Sequence, residues 1–183
     1  ESGDEQVLAR VEKRVDLEKL LEAARIAVAR DLKLSCFLVI GFPGDTTDNL
    51  RKSMALLRKL ALLGVHDVLV TKFVPYPGSQ LFKELQAAGA IELDDKFFIS
   101  PMDFYNSEAP SYAEAISMRR LYFTMLWMFI NFYIISFLRR PLRVMRILTI
   151  ALFTGVEETR YAKWFVDRIR VRRRWKKAAQ GRA

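Results

Sequence analysis

The chain has 183 residues, 51% of them apolar, enough for one domain with a substantial core. Its single cysteine, Cys36, excludes an internal disulfide, and excludes a zinc or iron-sulfur site built from this chain's cysteines alone. The net charge of +9 is unevenly spread, with 14 Lys or Arg against 18 Asp or Glu in residues 1–118 and 16 against 3 in residues 119–183, so two regions with different partners are expected.

A reducing, intracellular setting is the mild inference from the cysteine usage. The chain opens on Glu1 with no signal-peptide pattern, and it reads as a piece of something longer.

In chain order, Val15-Asp16-Leu17-Glu18 starts a helix over about residues 16–30, with Asp16 as cap and Leu17, Leu20, Leu21, Ala24, Ala27 and Val28 as its buried stripe. The run LSCFLVIGF from Leu34 is too short and too β-branched for another helix. It suits a strand covered on both faces of a parallel sheet. Thr46 or Thr47 then caps a helix with Leu50, Met54, Leu57, Leu60 and Ala61 facing inward, and Gly64 stands where a left-handed terminal residue is wanted. Val68 to Val74 is the second strand, and a further helix runs from near Ser79 to Gly89. Strands alternating with helices predict βαβ units and a parallel sheet.

Residues 91–111 read as a long loop lying on the globular part, either a contact surface or a packed linker. The aromatics Phe97, Phe98, Phe104 and Tyr105 in it are better explained by packing than by substrate contact, as is Tyr76. His66 and Cys36 have equally plain structural readings, as a satisfied histidine at a strand start and a small core residue.

Residues 112–183 form a basic, amphipathic helical region. Eighteen uncharged residues, 121–138, are bracketed by Arg119-Arg120 and Arg139-Arg140 and ended by Pro141, at the lower edge of what crosses a bilayer. Equal positive flanks give no orientation signal, which favours lying on the membrane over crossing it; a helix buried on the protein is the competing reading. Leu142 to Val156 fits an interfacial helix with snorkelling arginines, and residues 160–183 hold ten Lys or Arg against the lone Asp167. An anionic membrane surface is the expected partner. A nucleic-acid role is disfavoured because no RNA-binding module accompanies the charge.

Two punctuated segments follow the two strands: Gly41-Phe42-Pro43-Gly44-Asp45 and Pro75-Tyr76-Pro77-Gly78-Ser79. In parallel α/β folds ligands gather at the carboxyl ends of strands, and glycine there lets backbone approach a ligand. Each loop alone is also an ordinary strand-to-helix connector.

Taken together with Glu1-Ser2-Gly3 and VLARVEKRVD, the segments FLVIGFPGDT and KFVPYPGSQLFKEL resemble the radical S-adenosylmethionine enzymes, within the group that commonly carries an upstream cobalamin-binding domain. The match covers residues 1–90, in the order of the fourth, fifth and sixth strands of that family's partial (β/α)6 TIM-like barrel. The resemblance implies an α/β fold in which this chain is the C-terminal part of that barrel. It also implies S-adenosylmethionine as cofactor, with Glu1 beside the ribose and methionyl part and Lys13 near the carboxylate. Val39 and Ile40 would flank the adenine, Phe73, Val74 and Tyr76 would line the other side, and Ser2 and Gly41 would complete the cofactor-binding set. The family's three-cysteine [4Fe-4S] motif is absent, so this stretch alone cannot deliver the electron the chemistry needs. The cluster, and a cobalamin if one is used, would be held by a missing N-terminal part.

The expected parent is a cytoplasmic enzyme, peripheral on the inner face of the cell membrane, performing radical methylation or rearrangement on a hydrophobic substrate such as a lipid, isoprenoid or tetrapyrrole. The alternative is a non-catalytic membrane-associated binding module.

Overall fold

The computed structural model describes residues 1–99 and 111–154, together with Thr159, Lys163, Val166 and Asp167. It is a mixed α/β structure: α1 (Glu5–Arg10), α2 (Leu17–Ala29), β1 (Ser35–Ile40), α3 (Thr47–Leu63), β2 (Asp67–Lys72), α4 (Gln80–Ala87), α5 (Asp95–Ile99), α6 (Met118–Arg139) and α7 (Pro141–Thr154).

Local chemistry sets most of these boundaries. The Asp16 carboxylate accepts from the amides of Glu18 and Lys19 at the start of α2, and the Ser79 hydroxyl accepts from Phe82 N–H at the start of α4. At α3 the Thr46 amide donates to Asn49 Oδ1 at 2.6 Å. That helix stops at Gly64, whose φ of +97° is the left-handed conformation that glycine adopts without a Cβ clash.

The two strands pair in parallel, Ser35 opposite Asp67 and Ile40 opposite Lys72, with α3 as the crossover. The described residues therefore build a two-stranded parallel sheet. Glu1 lies along the free edge of β1: its ammonium donates to Phe37 O at 3.3 Å, and Val39 N–H donates to Glu1 O at 2.7 Å. Donation to one residue and acceptance from the residue two further on is the parallel ladder pattern.

One face of the sheet is covered and the other is largely open, a correction to the strand covered on both sides. Leu38, Ile40, Val68 and Val70 pack with Leu57, Leu60 and Ala61 of α3 and with Leu121, Met125, Met128 and Phe132 of α6. On the opposite face Phe37 is 57% exposed, Ser35 is exposed, and Val39, Leu69 and Thr71 are half-buried. A second cluster, Val7, Phe42, Phe73, Phe82, Ile91, Phe97 and Tyr112, lies around the strand ends. Ile91 and Phe97 thus tie the start of the 91–111 segment to the protein, and α5 gives it a helical turn that its composition does not announce. Phe104 and Tyr105 lie outside the described residues.

The C-terminal region shares this core. Among the described residues α6 is the helix long and apolar enough to cross a membrane. Yet its stripe Leu121, Met125, Met128, Phe132 and Ser136 is buried against the α/β part. Spacings of four, three, four and four residues put all five on one side of a helix. α7 is held by Arg143, whose Nη1 donates to Gly64 O at 2.6 Å and Nη2 to Val65 O at 3.3 Å, while Ile147 and Ala151 pack with Val166. Val156 and most of the cationic tail fall outside the described residues.

Candidate functional site

The carboxyl ends of β1 and β2 lie side by side, because the ladder continues one step past the strands: Phe73 N–H donates to Ile40 O at 2.8 Å. Gly41 and Phe73 thus leave the sheet together at one end. The Lys13 ammonium sits 3.2 Å from Glu1 Oε1. This pair, half-exposed on the lysine side, places one cation and one anion along the edge of β1, where Glu1 is bonded to Phe37 and Val39.

The loop after β1 closes on itself. Asp45 Oδ2 accepts from the amides of Gly41 and Phe42, both at 3.0 Å, and Arg10 Nη2 donates to Asp45 Oδ1 at 2.6 Å. Burial pushes the Asp45 carboxyl up, and these three donors pull against that without cancelling it. Glu114 Oε2 accepts from Gly44 N–H at 3.0 Å; its own backbone amide first, then this bond and the nearby Arg10 charge, hold the Glu114 carboxyl below its ordinary range. The amides of Gly41, Phe42 and Gly44, expected to face a ligand, have side-chain partners instead. The Asp45 side chain thus reaches back to amides three and four residues before it, the reverse of the forward reach of an Asx turn, and the sequence pattern did not announce this role.

Asp45→Ala leaves two buried amides without an acceptor and is expected to cost about 2 kcal/mol, read from the shift of a urea unfolding curve. Asp45→Asn keeps one acceptor oxygen and should cost less.

Gly41 is also covered. A Cβ on it would stand 2.5 Å from Leu121 Cδ2 of α6. The close approach that the glycine permits is thus made by a leucine of the same chain.

The remaining candidates divide. Val39 and Ile40 are neighbours on one strand and point to opposite faces. Val39 is half-buried against the second cluster, while Ile40 is fully buried in the first, among α3 and α6 side chains. The two side chains accordingly do not meet at one ring-sized space. Phe73 is buried between Phe42, 4.9 Å away, and Tyr112, 5.9 Å away and edge-on. Val74 is half-buried and Tyr76 is 64% exposed at the outer end of the second loop. Ser2 turns inward: its hydroxyl is 3.2 Å from Ser53 Oγ of α3 and accepts from Asp4 N–H. Glu1 and Val39 are thus joined at the edge of β1 with Lys13 paired to Glu1, and Phe73 leaves the sheet beside Gly41, whereas Ser2 and Ile40 face the core.

A network unforeseen from the sequence fixes this rim from below. Asp4 accepts from Asn49 Nδ2 at 2.6 Å and lies 3.0 Å from Lys52 Nζ, which joins the N-terminal segment to α3. The Asp4 carboxyl is held below its ordinary value by these hydrogen bonds, against the desolvation that opposes them.

His66 precedes β2, at the other end of the sheet from this rim, with its pKa pushed down by burial and by Arg143. Cys36 is half-buried on β1, where burial pushes its thiol up, away from the reactive thiolate form. Among the described residues no group of three His, Cys, Asp or Glu is placed to hold a metal ion. A scan against models of known protein families finds none that matches this chain.

Proposed function

We propose that residues 1–90 form one wall of the S-adenosylmethionine site of a radical S-adenosylmethionine enzyme, as the last strands of its partial (β/α)6 barrel. The observation that supports this reading is a pair of parallel strand tips leaving the sheet together, with the Glu1–Lys13 ion pair along the adjoining edge of β1. A carboxylate and an ammonium 3.2 Å apart suit the zwitterionic amino-acid end of that cofactor, each facing its opposite charge. The uncovered sheet face around Phe37 is where further strands of a barrel would close over the ligand.

The cluster does not fit these residues. One cysteine cannot supply three thiolates, so these residues alone cannot ligate a [4Fe-4S] cluster. For the whole enzyme we assign radical methylation or rearrangement of a hydrophobic substrate, a lipid, isoprenoid or tetrapyrrole, in the cytoplasm at the inner face of the cell membrane.

The test is made on the complete gene product, purified without oxygen. It should carry iron and sulfide and cleave S-adenosylmethionine to 5′-deoxyadenosine under reduction. In that protein Glu1→Gln and Lys13→Met should each weaken S-adenosylmethionine binding about tenfold, corresponding to ~1.4 kcal/mol for a lost charged hydrogen bond. A gene product without a three-thiolate site would overturn the assignment.

A second reading has its own observation. The Gly41–Asp45 loop satisfies its amides internally, and Leu121 fills the space beside Gly41, so the loop is complete without a ligand. This favours a non-catalytic, membrane-associated binding module. Unaltered mobility of the chain on saturation with S-adenosylmethionine, together with absence of iron in the complete product, is its expected signature.

A further inference from the structure

α6 carries two apolar stripes on opposite sides. Leu121, Met125, Met128, Phe132 and Ser136 face the core. Phe123, Trp127, Ile130, Ile134 and Phe137 repeat at spacings of four and three residues on the other side, and each is 46 to 55% exposed. At 100° per residue the two sets are about half a turn apart. Soluble proteins seldom leave so long an aromatic and aliphatic strip bare. α7 continues the feature, with Leu142 at 82% and Phe153 at 85% exposed.

The charge around the strip decides what covers it. Arg119 and Arg120 stand one turn before Phe123, and Arg119 lies 5.9 Å over the Phe123 ring. Arg139, Arg140 and Arg146 are exposed at and beyond the far end. Between Glu114 and Glu157 the sequence has no Asp or Glu at all. A second copy of this surface would set arginines against arginines. A nucleic-acid backbone matches the cations and leaves the rings in water. An anionic bilayer matches both, headgroups meeting the arginines and acyl chains meeting the rings.

We infer that the outer stripe of α6 is a docking surface for an anionic phospholipid bilayer, on which α6 lies in the plane of the interface and does not cross it. The inference rests on the peripheral membrane location proposed above and names the surface that achieves it. Crossing is opposed by the inner stripe: a spanning α6 would have to leave β1, β2 and α3, uncovering Leu38, Val68 and Leu57 to water. Lying flat keeps that packing and buries only the side already bare. Trp127, in the middle of the stripe, then sits at the headgroup boundary, where an indole satisfies its ring and its N–H together.

The experiment uses the full chain with Trp164 and Trp175 replaced by Phe, so that Trp127 is the only indole. It is mixed with vesicles of phosphatidylcholine and phosphatidylglycerol. Flotation should show binding that pure phosphatidylcholine does not support and that salt weakens. Trp127 fluorescence should be quenched most by lipids brominated near the headgroup. Trp127→Glu with Ile134→Glu should lower vesicle binding at least tenfold with the thermal unfolding curve retained, and Arg119→Glu with Arg120→Glu should weaken binding and reduce its salt sensitivity. Quenching strongest from bromines at the acyl-chain ends would mean a spanning helix and overturn the inference. So would vesicle binding without any quenching, which leaves peripheral attachment standing and moves it to another part of the chain. So would a dimer in free solution that the Glu substitutions dissolve. Absence of binding to either vesicle removes both the surface and the peripheral location, and leaves the S-adenosylmethionine reading to its own test.

Discussion

Replacing Gly41 with alanine is expected to lower the unfolding free energy by about 3 kcal/mol, two effects of comparable size adding. The first is conformational. Gly41 has φ of +84°, where an L-residue with a Cβ is strained by about 1–2 kcal/mol. The second is steric: the new Cβ stands 2.5 Å from Leu121 Cδ2, and Leu121 is 1% exposed, so its side chain has no free volume to enter. Overpacking of this kind costs about 1–3 kcal/mol. A double-mutant cycle separates the two. In Leu121→Ala the space beside residue 41 opens, at its own cavity cost. Adding Gly41→Ala to that background should then cost only the strain of the left-handed backbone, about 1–2 kcal/mol. Equal costs of Gly41→Ala in both backgrounds, measured by urea unfolding, would show that Leu121 does not restrict the site.

This glycine shows how far the sequence could be read. That Gly41 had to be glycine was legible from an apolar strand breaking into Gly-Phe-Pro-Gly; what approaches it was not, because Leu121 is 80 residues away along the chain and only tertiary packing brings it there. The same division runs through the fold. Asp16 as a cap, Gly64 as a helix stop and the two parallel strands follow from local chemistry and short periodicities, and they stand within a residue or two of where the pattern puts them. α5 has no signature in the sequence because five residues are too few to carry a helical period. At the rim, strand tips were predictable from the punctuation, while the Asp4–Asn49–Lys52 network and the Glu114 contact to Gly44 join segments remote in sequence. Val39 and Ile40 pack in different clusters on opposite faces of the sheet, as the strand period of two requires.

The uncharged run 121–138 was the hardest stretch to interpret, since length and apolarity are the same for a core helix and a membrane helix. Phe132→Ala distinguishes them, and its expected effect is the largest proposed: a loss of about 3–5 kcal/mol, the usual range for a fully buried phenylalanine. Phe132 is 0% exposed and stands in the main cluster with Val68, Leu57 and Leu60, so its removal leaves a cavity between α6 and the α/β part. The ring also contacts Tyr133 edge-on at 5.3 Å, and Tyr133 donates to Asp67 at the start of β2, so the cavity adjoins a polar contact that positions the strand. Phe137, on the outer side of the same helix and 47% exposed, provides the comparison: Phe137→Ala should shift the unfolding curve by less than about 1 kcal/mol while weakening vesicle binding. If α6 instead left the core to enter lipid, the order would reverse in the presence of vesicles, with Phe132→Ala harmless to the unfolding of the remainder. Unfolding followed with and without anionic vesicles, for the two variants side by side, reads that order directly: an inner stripe that matters equally in both conditions keeps α6 in the protein core even when its outer side is in the membrane.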